Sequence, residues 1–338
     1  MGIGKSIEYK ELIGGIKTQI KNSRQKALLS VNRELLILYW NIGNIILKFQ
    51  NKEGWGAKVI DNIADEIKRE FPDLKGFSSR NLKYMRKFAL EYQEVEFVQQ
   101  VVAQIPWSHN VVLMDRVTDI NQRVWYINKT KENGWSRNTL VHQIESNLFN
   151  RQNNEVKTSN FMEKLDAPNN KLAVEVLKDP YIFDFISMTE EMNERDIEKQ
   201  LVKKVTKLLL ELGSGFAFIG NQYKLNVGGD DYYLDLLFYN LKLRCYVVIE
   251  LKTGKFKPEY AGKLNFYLSA VDDTLKTEID NPSIGIILCK EKNKLVAEYS
   301  LKDMTKPIGV SEYKLLEEIP EDLKGTLPSI EEIEETLD

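Results

Sequence analysis

The sequence has very few cysteines and histidines and no long apolar run. Two of each among 338 residues are too few for a disulfide framework, and they lack the clustering typical of a zinc site. No stretch approaches the roughly 18 consecutive apolar residues that a membrane helix needs. The first thirty residues carry six basic side chains and no apolar segment of the signal-peptide kind. These absences predict a cytoplasmic protein with no membrane partner.

A large net charge is also missing, because the formal charge is only -3. The charge is nevertheless uneven, since residues 1–150 hold 22 basic and 16 acidic residues whereas residues 151–338 hold 25 and 34. A basic first part indicates an anionic partner such as a nucleic acid, although ordinary scatter of surface charge explains the excess equally well. The length and the apolar fraction of 43% are typical of a folded protein with two domains.

Residues 1–150 show apolar side chains at helical spacing, which predicts an all-helical first domain. The helix predicted at residues 59–71 ends there because a residue that precedes proline is pushed out of the helical region. Two later helices should each begin after the same kind of turn, in which a serine caps the helix. These turns are Gly76-Phe77-Ser78 and Gly134-Trp135-Ser136.

A polar linker is predicted at residues 151–170, followed by a second domain at residues 171–338. In that domain, apolar patterns typical of strands join the helical ones. The predicted order is helix, three strands, helix, strand, at residues 194–212, 216–227, 232–240, 243–252, 258–271 and 284–289. A last strand is expected near residues 308–313, and the acidic segment after it is interpreted as a solvated tail.

Two predicted strands carry charged residues that should meet. The strands around Asp235 and Glu250 have so short a connection that they should form an antiparallel hairpin, in which side chains opposite each other point to the same face. A connection of two or four residues would put Asp235 opposite Tyr246 or Val248. In either case, Glu250 and Lys252 share the face of Asp235.

Two carboxylates and an amine on one face suit a divalent metal site. Burying them costs free energy unless a cation or hydrogen bonds compensate, and such oxygen ligands suit Mg²⁺ or Mn²⁺ held together with a phosphate and waters. Such an ion can activate water and neutralise charge on a phosphodiester, while Lys252 orients the nucleophile or helps to deprotonate it. Glu198, on the apolar stripe of the preceding helix, is a third acid for this site, and Lys263 is placed to reach a phosphate.

The spacing of these residues is weak evidence when taken alone. An Asp followed after fourteen residues by Glu-x-Lys recurs by chance in many chains. The interpretation as a site depends on the strand pattern, the shared face and the position of Glu198 in the helix before the strands.

The motifs resemble those of a known family, the YhcG-like branch of the PD-(D/E)XK nuclease superfamily. In the second domain the resemblance rests on segments 228–239, 248–252, 256–262, 265–268 and 282–290. In the first domain it rests on the sequences Gly54-Trp55-Gly56, Gly76-Phe77-Ser78 and Ile105-Pro106-Trp107-Ser108-His109. The resemblance therefore extends over nearly the whole chain.

The resemblance implies a restriction-endonuclease-like αβββαβ core, a fold of the α+β or α/β class. It also implies that Asp235 and Glu250 hold the divalent metal, that Lys252 serves the attacking water, and that Glu198 supplies the helix acid. Related nucleases often carry glutamine where this chain has Lys263. The contact of Lys263 with phosphate or water therefore stays open.

The helices on either side of residues 72–78 suggest how the first domain could hold DNA. They could form a helix-turn-helix or winged-helix-like unit whose second helix enters a groove. Arg80, Lys83, Arg86 and Lys87 would then contact phosphates, and Asn81 or Tyr84 would reach base edges. The alternative is an ordinary helical hairpin with a solvated basic face.

The sequence thus predicts a Mg²⁺- or Mn²⁺-dependent endonuclease that hydrolyses DNA. A DNA-binding or assembly module with an inactive nuclease fold is the alternative from another functional class. An RNA substrate also stays open, because nothing in the metal site distinguishes the two sugars. A homodimer would suit a chain that carries one site and cuts both strands of a duplex.

Overall fold

The computed structural model describes residues 7–53, 58–153, 157–186 and 192–315. The chain divides into two compact units, one reaching to Ile144 and the other beginning at Glu145. The Gly54-Trp55-Gly56 sequence and the acidic tail lie outside the described residues. No helix in the described ranges combines the length and apolar character needed to cross a membrane.

The first unit is helical, as its apolar spacing predicts. Its described residues form no strand and therefore no wing of a winged helix. A short 3-10 turn, Val102–Gln104, lies between the fourth and fifth helices. The helices are α1 Ile7–Glu53, α2 Lys58–Glu70, α3 Ser79–Glu91, α4 Val95–Gln100, α5 Trp107–Arg116, α6 Ile120–Asn133 and α7 Arg137–Glu145.

The main packing contact of α3 is with α1. The two helices cross at Gly43, where an added Cβ would lie 2.0 Å from the carbonyl oxygen of Met85. Leu36, Tyr39 and Ile46 are buried along the same side of α1. Because α3 packs chiefly on α1 and is joined to α2 by a long turn, residues 71–78, the structure does not confirm a helix-turn-helix.

The two glycine–aromatic–serine turns have the predicted form. Gly76 and Gly134 adopt φ of +95° and +62°, a region that glycine enters without a steric penalty. The Ser78 hydroxyl accepts from the Asn81 N–H at 3.3 Å. The Ser136 hydroxyl accepts from the Thr139 N–H at 3.1 Å. Each serine therefore caps the helix that follows it.

The second unit combines helices with a mixed sheet. Its segments before the first long strand are α8 Leu148–Asn153, β1 Thr158–Ser159, α9 Phe161–Lys164, α10 Asn169–Val176, β2 Tyr181–Phe183, α11 Glu194–Lys203 and α12 Val205–Leu212. The remaining elements are β3 Phe216–Val227, β4 Asp230–Asn240, β5 Cys245–Lys255, α13 Pro258–Thr274, β6 Ile284–Glu291, α14 Lys294–Lys302 and β7 Ile308–Leu315. The predicted αβββαβ order is present, with α14 and β7 after it.

The sheet has the order β1-β7-β6-β5-β4-β3, and β2 pairs with β7 as well. Strands β3, β4 and β5 are antiparallel, whereas β5, β6 and β7 are parallel. One face packs against α11 and α12 through residues such as Leu236 and Ile249. The other face packs against α13 and α14 through residues such as Leu237 and Val248. The central strands are therefore buried on both faces.

The segment predicted as a linker contains regular structure. Thr158 and Ser159 pair with Val310 and Gly309 of β7. The Asn160 amide accepts from the Ile308 N–H at 2.7 Å and donates to the Lys306 carbonyl at 3.1 Å. The composition misled the prediction because these polar side chains satisfy backbone groups inside the second unit instead of meeting water. Residues 154–156 of the segment lie outside the described ranges.

Candidate active site

The β4–β5 hairpin brings the predicted acids together. Its register pairs Leu236 with Ile249, which puts Asp235 level with Glu250. The shared face is as predicted, but the predicted pairing of Asp235 with Tyr246 or Val248 is wrong. The pair nearest the turn is Asn240 with Cys245, across a four-residue connection. This register places Asp235 level with Glu250, which is two residues beyond Val248 along β5.

Lys252 lies among three carboxylates. Its Nζ is 3.6 Å from Glu250 Oε2 and 3.9 Å from Asp235 Oδ2. It also donates to Glu194 Oε2 at 3.2 Å and to the Leu251 carbonyl at 2.6 Å. The residue is only 6% exposed. These contacts hold the ammonium beside both predicted metal ligands.

Asp235 is fixed by the backbone of β5 and by a neighbouring amide. Its Oδ2 accepts from the Leu251 N–H at 2.9 Å, and its Oδ1 lies 3.5 Å from Gln222 Nε2. The hydrogen bond to Leu251 links the carboxylate to the strand that carries Glu250 and Lys252. Asp235 is therefore held at the point where the regular β4–β5 ladder ends.

Glu250 is buried to 1% exposure and is incompletely paired. Its Oε2 accepts from Lys263 Nζ at 3.0 Å, whereas its Oε1 has no hydrogen-bond partner among the described residues. Burial raises the pKa of Glu250, and the neighbouring Asp235 carboxylate raises it further, although Lys263 and Lys252 act in the opposite direction. Burial disfavours the charged form of Lys263, but attraction to Glu250 outweighs it and raises the pKa of Lys263.

Glu198 joins the same group through a bridging amide. The residue is 3% exposed, and its carboxylate accepts from Asn221 Nδ2 at 2.7 Å and from Gln222 Nε2 at 2.5 Å. The Gln222 amide nitrogen therefore lies between Glu198 and Asp235. Helix α11 positions the acid, because its first turn is fixed by a capping box between Asn193 and Asp196.

Glu194 and Gln222 are the site residues that the sequence analysis missed. Glu194 lies one helical turn before Glu198, and besides Lys252 it accepts from the Thr253 N–H at 3.4 Å. Gln222 has a φ of +45°, a left-handed conformation that is uncommon for a non-glycine residue within a strand. The i, i+4 spacing from Glu198 could have indicated Glu194. No sequence signal indicates Gln222.

An open cleft of about 400 Å³ adjoins these residues. Its lining combines acids, an arginine, a lysine and three tyrosine rings, and includes Glu194, Arg195, Glu198, Asp235, Lys263 and Tyr267. The Lys263 ammonium also lies 5.0 Å from the centre of the Tyr267 ring. Because Asp235 and Lys263 both line the cleft, a phosphate that enters it would meet the lysine close to the acids.

The donor set suits a hard cation. The unpartnered buried Oε1 of Glu250 is available to a cation or to a hydrogen-bond donor, and Asp235 supplies a second carboxylate beside it. Across the described ranges no group of three or more acids, histidines or cysteines forms a metal site by itself. Two carboxylates completed by waters and a substrate phosphate are a usual ligand set for Mg²⁺.

The basic residues predicted to contact phosphates in the first unit differ in their availability. Arg80 and Lys83 are exposed. Lys83 is 3.6 Å from Asp61, and the Arg80 guanidinium lies 5.9 Å from the centre of the Tyr84 ring. Arg86 donates to Gln50 at 3.1 Å. Arg80 and Lys83 are the two that an incoming phosphate could reach most directly.

The other predicted contacts are engaged inside the first unit. Asn81 Oδ1 accepts from Trp107 Nε1 at 2.8 Å, and Asn81 Nδ2 donates to the Gly76 carbonyl. The Tyr84 hydroxyl donates to Asp115 at 2.6 Å, and Lys87 donates to Asp115 at 2.9 Å. Asn81 therefore fixes the turn before α3, and both Asn81 and Tyr84 already bond within the unit.

Two family models match the chain. The model described as the YhcG PDDEXK nuclease domain matches residues 174–328, and the DUF1016 N-terminal domain matches residues 15–151. The chain is also 28% identical over 346 aligned positions to YhcG of Escherichia coli (strain K12), covering 92% of both proteins.

Two solved structures are similar to part of the chain, each at 16% identity. One is a repair endonuclease from Pyrococcus abyssi, with a TM-score of 0.26, and the other is EndoMS in a complex with double-stranded DNA, with a TM-score of 0.27. The similarity covers 39% and 40% of this chain, respectively, and only half the length of each of those proteins. The two family models, matched in this order along most of the sequence, show that the chain belongs to the YhcG-like family of PD-(D/E)XK nucleases.

Proposed function

We propose that this protein is a Mg²⁺-dependent endonuclease that hydrolyses DNA phosphodiester bonds, with Mn²⁺ as an alternative ion. The observation that carries the proposal is the incomplete pairing of Glu250, whose buried Oε1 has no partner in the described part of the chain although Asp235 and Lys252 lie beside it. PD-(D/E)XK nucleases generally use divalent metal ions. A cation held by Asp235 and Glu250 would complete this arrangement.

Each residue of the site has a separate task in this proposal. Asp235 and Glu250 hold the ion, which when bound supplies an activated water and neutralises charge on the phosphate. Lys252 donates hydrogen bonds to the attacking water and orients it, because its ammonium is fixed between Glu194 and the Leu251 carbonyl. Glu198 keeps Asp235 in position through the Gln222 amide.

Substrate binding is proposed to involve both units. Lys263 borders the cleft and would meet a phosphate close to the two acids. In the first unit, Arg80 and Lys83 are the exposed basic residues of α3 and would contact the DNA backbone. Asn81 and Tyr84 are left out of this role, because their polar groups already bond within the unit.

The proposal is tested by incubating the full chain with plasmid DNA and with DNA and RNA oligonucleotides, with Mg²⁺, with Mn²⁺ or with a chelator. Cleavage of DNA should require the ion and should be lost in Asp235→Asn and Lys252→Ala. Asp230→Asn is a matched control, because Asp230 is an exposed acid at the start of the same strand. Cleavage that persists in both site variants would refute the mechanism, and cleavage of RNA alone would correct the substrate.

A second candidate is a DNA-binding or assembly module that does not cut. The ion pair between Lys263 and Glu250 favours it, because the lysine occupies one of the oxygens that a metal would use. In that case the protein would bind DNA with an affinity that falls steeply as salt rises. It would neither cleave any of the substrates nor take up Mn²⁺ in a titration calorimeter.

A further inference from the structure

Helix α1 carries two apolar seams, and in the part of the chain that the structure describes one of them is buried while most of the other is exposed. The covered seam faces α3 and contains Leu36, Tyr39 and Ile46, with exposed fractions of 0%, 5% and 5%. The second seam, called here the outer seam, consists of residues 31, 35, 38, 42, 45 and 49 and lies beside the covered one. Leu38 and Ile45 of the outer seam are 45% and 55% exposed.

The outer seam has the spacing of a coiled coil. Its members are separated by four, three, four, three and four residues, which is the heptad pattern of two helices that pack along a shared seam. They are Val31, Leu35, Leu38, Ile42, Ile45 and Phe49. Single exposed apolar side chains are common on protein surfaces, but this row extends about 27 Å along one helix at a rise of about 1.5 Å per residue.

We propose that the outer seam binds the outer seam of a second copy of this chain, in an antiparallel coiled coil. The heptad spacing is the same when read in either direction, so two antiparallel copies match layer for layer. Leu35 of one copy would pack on Ile45 of the other, and Leu38 on Ile42. A pairing of this kind is isologous, as a two-fold dimer requires.

The charged residues beside the outer seam favour the antiparallel direction. Glu34, Asn41 and Lys48 occupy equivalent positions in successive heptads on one flank, and all three are exposed. In an antiparallel pair this flank meets itself, so Glu34 of each copy approaches Lys48 of the other and the two Asn41 side chains meet at the axis. In a parallel pair Glu34 would face Tyr39, which carries no charge and is buried in its own unit.

The association is tested first by sedimentation velocity of the full chain over a range of concentrations. The wild-type protein should form dimers whose population increases with concentration, and Leu38→Glu combined with Ile45→Glu should leave monomers. Leu90→Glu is the matched control, because Leu90 is an apolar residue of the same unit with 57% exposure that lies outside the seam. Circular dichroism should show equal helix content in all variants, since each replaced side chain is exposed.

The direction is tested by charge exchange. Glu34→Lys and Lys48→Glu should each weaken the dimer several-fold, and their combination should restore it, because each copy then again offers opposite charges. Under oxidising conditions Asn41→Cys should link two copies, whereas Val31→Cys should not, since the two residues at position 31 would lie at opposite ends of the seam. The native Cys245 and Cys289 are buried and do not compete.

Several outcomes would overturn the proposal. A wild-type monomer at every concentration excludes the dimer, and a dimer that survives the Leu38 and Ile45 substitutions excludes this seam. A dimer that the charge exchange does not restore and that Asn41→Cys does not link excludes the antiparallel direction. If the double glutamate variant fails to fold, the Asn41→Cys cross-link still decides the question. None of these results depends on whether the protein cleaves DNA.

Discussion

Two buried glutamates of the second unit, Glu211 and Glu250, have the same exposure of 1% but pKa values that shift in opposite directions. The Glu211 carboxylate pairs with Arg151 and Lys178 and accepts from the Ile182 N–H at 2.9 Å. Burial opposes its charged form, but attraction to Arg151 and Lys178 outweighs burial and lowers the pKa of Glu211. This carboxylate is fully satisfied by the protein.

Glu250 has an unpartnered oxygen and a second carboxylate beside it, and its pKa is raised by burial and by Asp235. The difference indicates what each group is for. A buried charge whose partners are complete stabilises a fold, whereas the incomplete pairing of Glu250 beside Asp235 is what supports the proposed cation site.

The largest expected difference between the two glutamates is in cleavage. Glu250→Gln removes a proposed metal ligand while keeping the shape of the side chain, so we expect DNA cleavage to fall on the order of 10²–10⁴-fold. The rate is measured with plasmid DNA at saturating Mg²⁺. Glu211→Gln should retain cleavage at a temperature where it remains folded. Equal rates for Glu250→Gln and the wild type would contradict the assignment of the site.

For stability the order of the two substitutions should be reversed, with the larger effect in Glu211→Gln. Glu211→Gln leaves Arg151 and Lys178 as buried cations without their anion, which should lower the free energy of unfolding by about 3–5 kcal/mol. Glu250→Gln removes a carboxylate that is costly to bury and should change the free energy of unfolding by less than about 1 kcal/mol. Urea denaturation without metal measures both. A larger loss of unfolding free energy in Glu250→Gln than in Glu211→Gln would contradict this prediction.

The dependence on pH should separate the two glutamates further. The lowered pKa of Glu211 gives stability that is present above the ordinary glutamate value of 4.5 and is lost as the pH falls through its folded pKa. The raised pKa of Glu250 gives stability that is present below 4.5 and is lost as the pH rises through its folded pKa. On raising the pH from 4.5, Glu250→Gln should therefore gain stability relative to the wild type.

Glu211→Gln should show the reverse trend, losing stability relative to the wild type as the pH rises from the acid range. Denaturation of both variants and the wild type at several pH values, without metal, gives the difference in unfolding free energy between each variant and the wild type. Parallel curves for the two variants would show that the opposite pKa directions do not hold.

The smallest expected effect concerns the lysine that pairs with Glu250. Lys263→Gln removes a cation that competes with a metal for Glu250 Oε2. Because a half-exposed ion pair contributes about 0.2–1 kcal/mol, Mn²⁺ should bind less than about fivefold more tightly. Isothermal titration calorimetry measures the affinity, and Lys257→Gln, at an exposed lysine paired with Glu259, is the control. Weaker binding in Lys263→Gln would mean that the lysine helps to hold the ion's ligands in place.

The convergence of Asp235, Glu250 and Lys252 could be predicted because it depends on the alternation of side chains in a hairpin, a property of the local backbone. The contribution of Gln222 to the site could not be predicted from the sequence. Its position depends on how β3 pairs with β4, and that pairing shifts register between Phe218 and Gly220. Strand β3 lies at the edge of the sheet and has a single buried residue, Leu225, so its apolar pattern does not specify such a shift.

In the first unit, too, local features could be predicted from the sequence and contacts between distant residues could not. The serine-capped turns are local and follow from three adjacent residues, so they could be predicted. The role of Asn81 depends on Trp107, which is 26 residues away in the sequence and donates to its side chain. Polar residues on a helix near a basic face suggest base contacts, and only the tertiary packing shows that this amide is already bonded.

The pairing of β1 with β7 has a practical consequence for dividing the protein. A fragment that begins at residue 171, where composition places the second domain, would lack Thr158 and Ser159 and expose the edge of β7 that they cover. It would also lack Phe161, a fully buried core residue. Unpaired strand edges promote association between chains, so such a fragment should aggregate. One that begins at Glu145 keeps the edge protected and includes Arg151, the partner of Glu211.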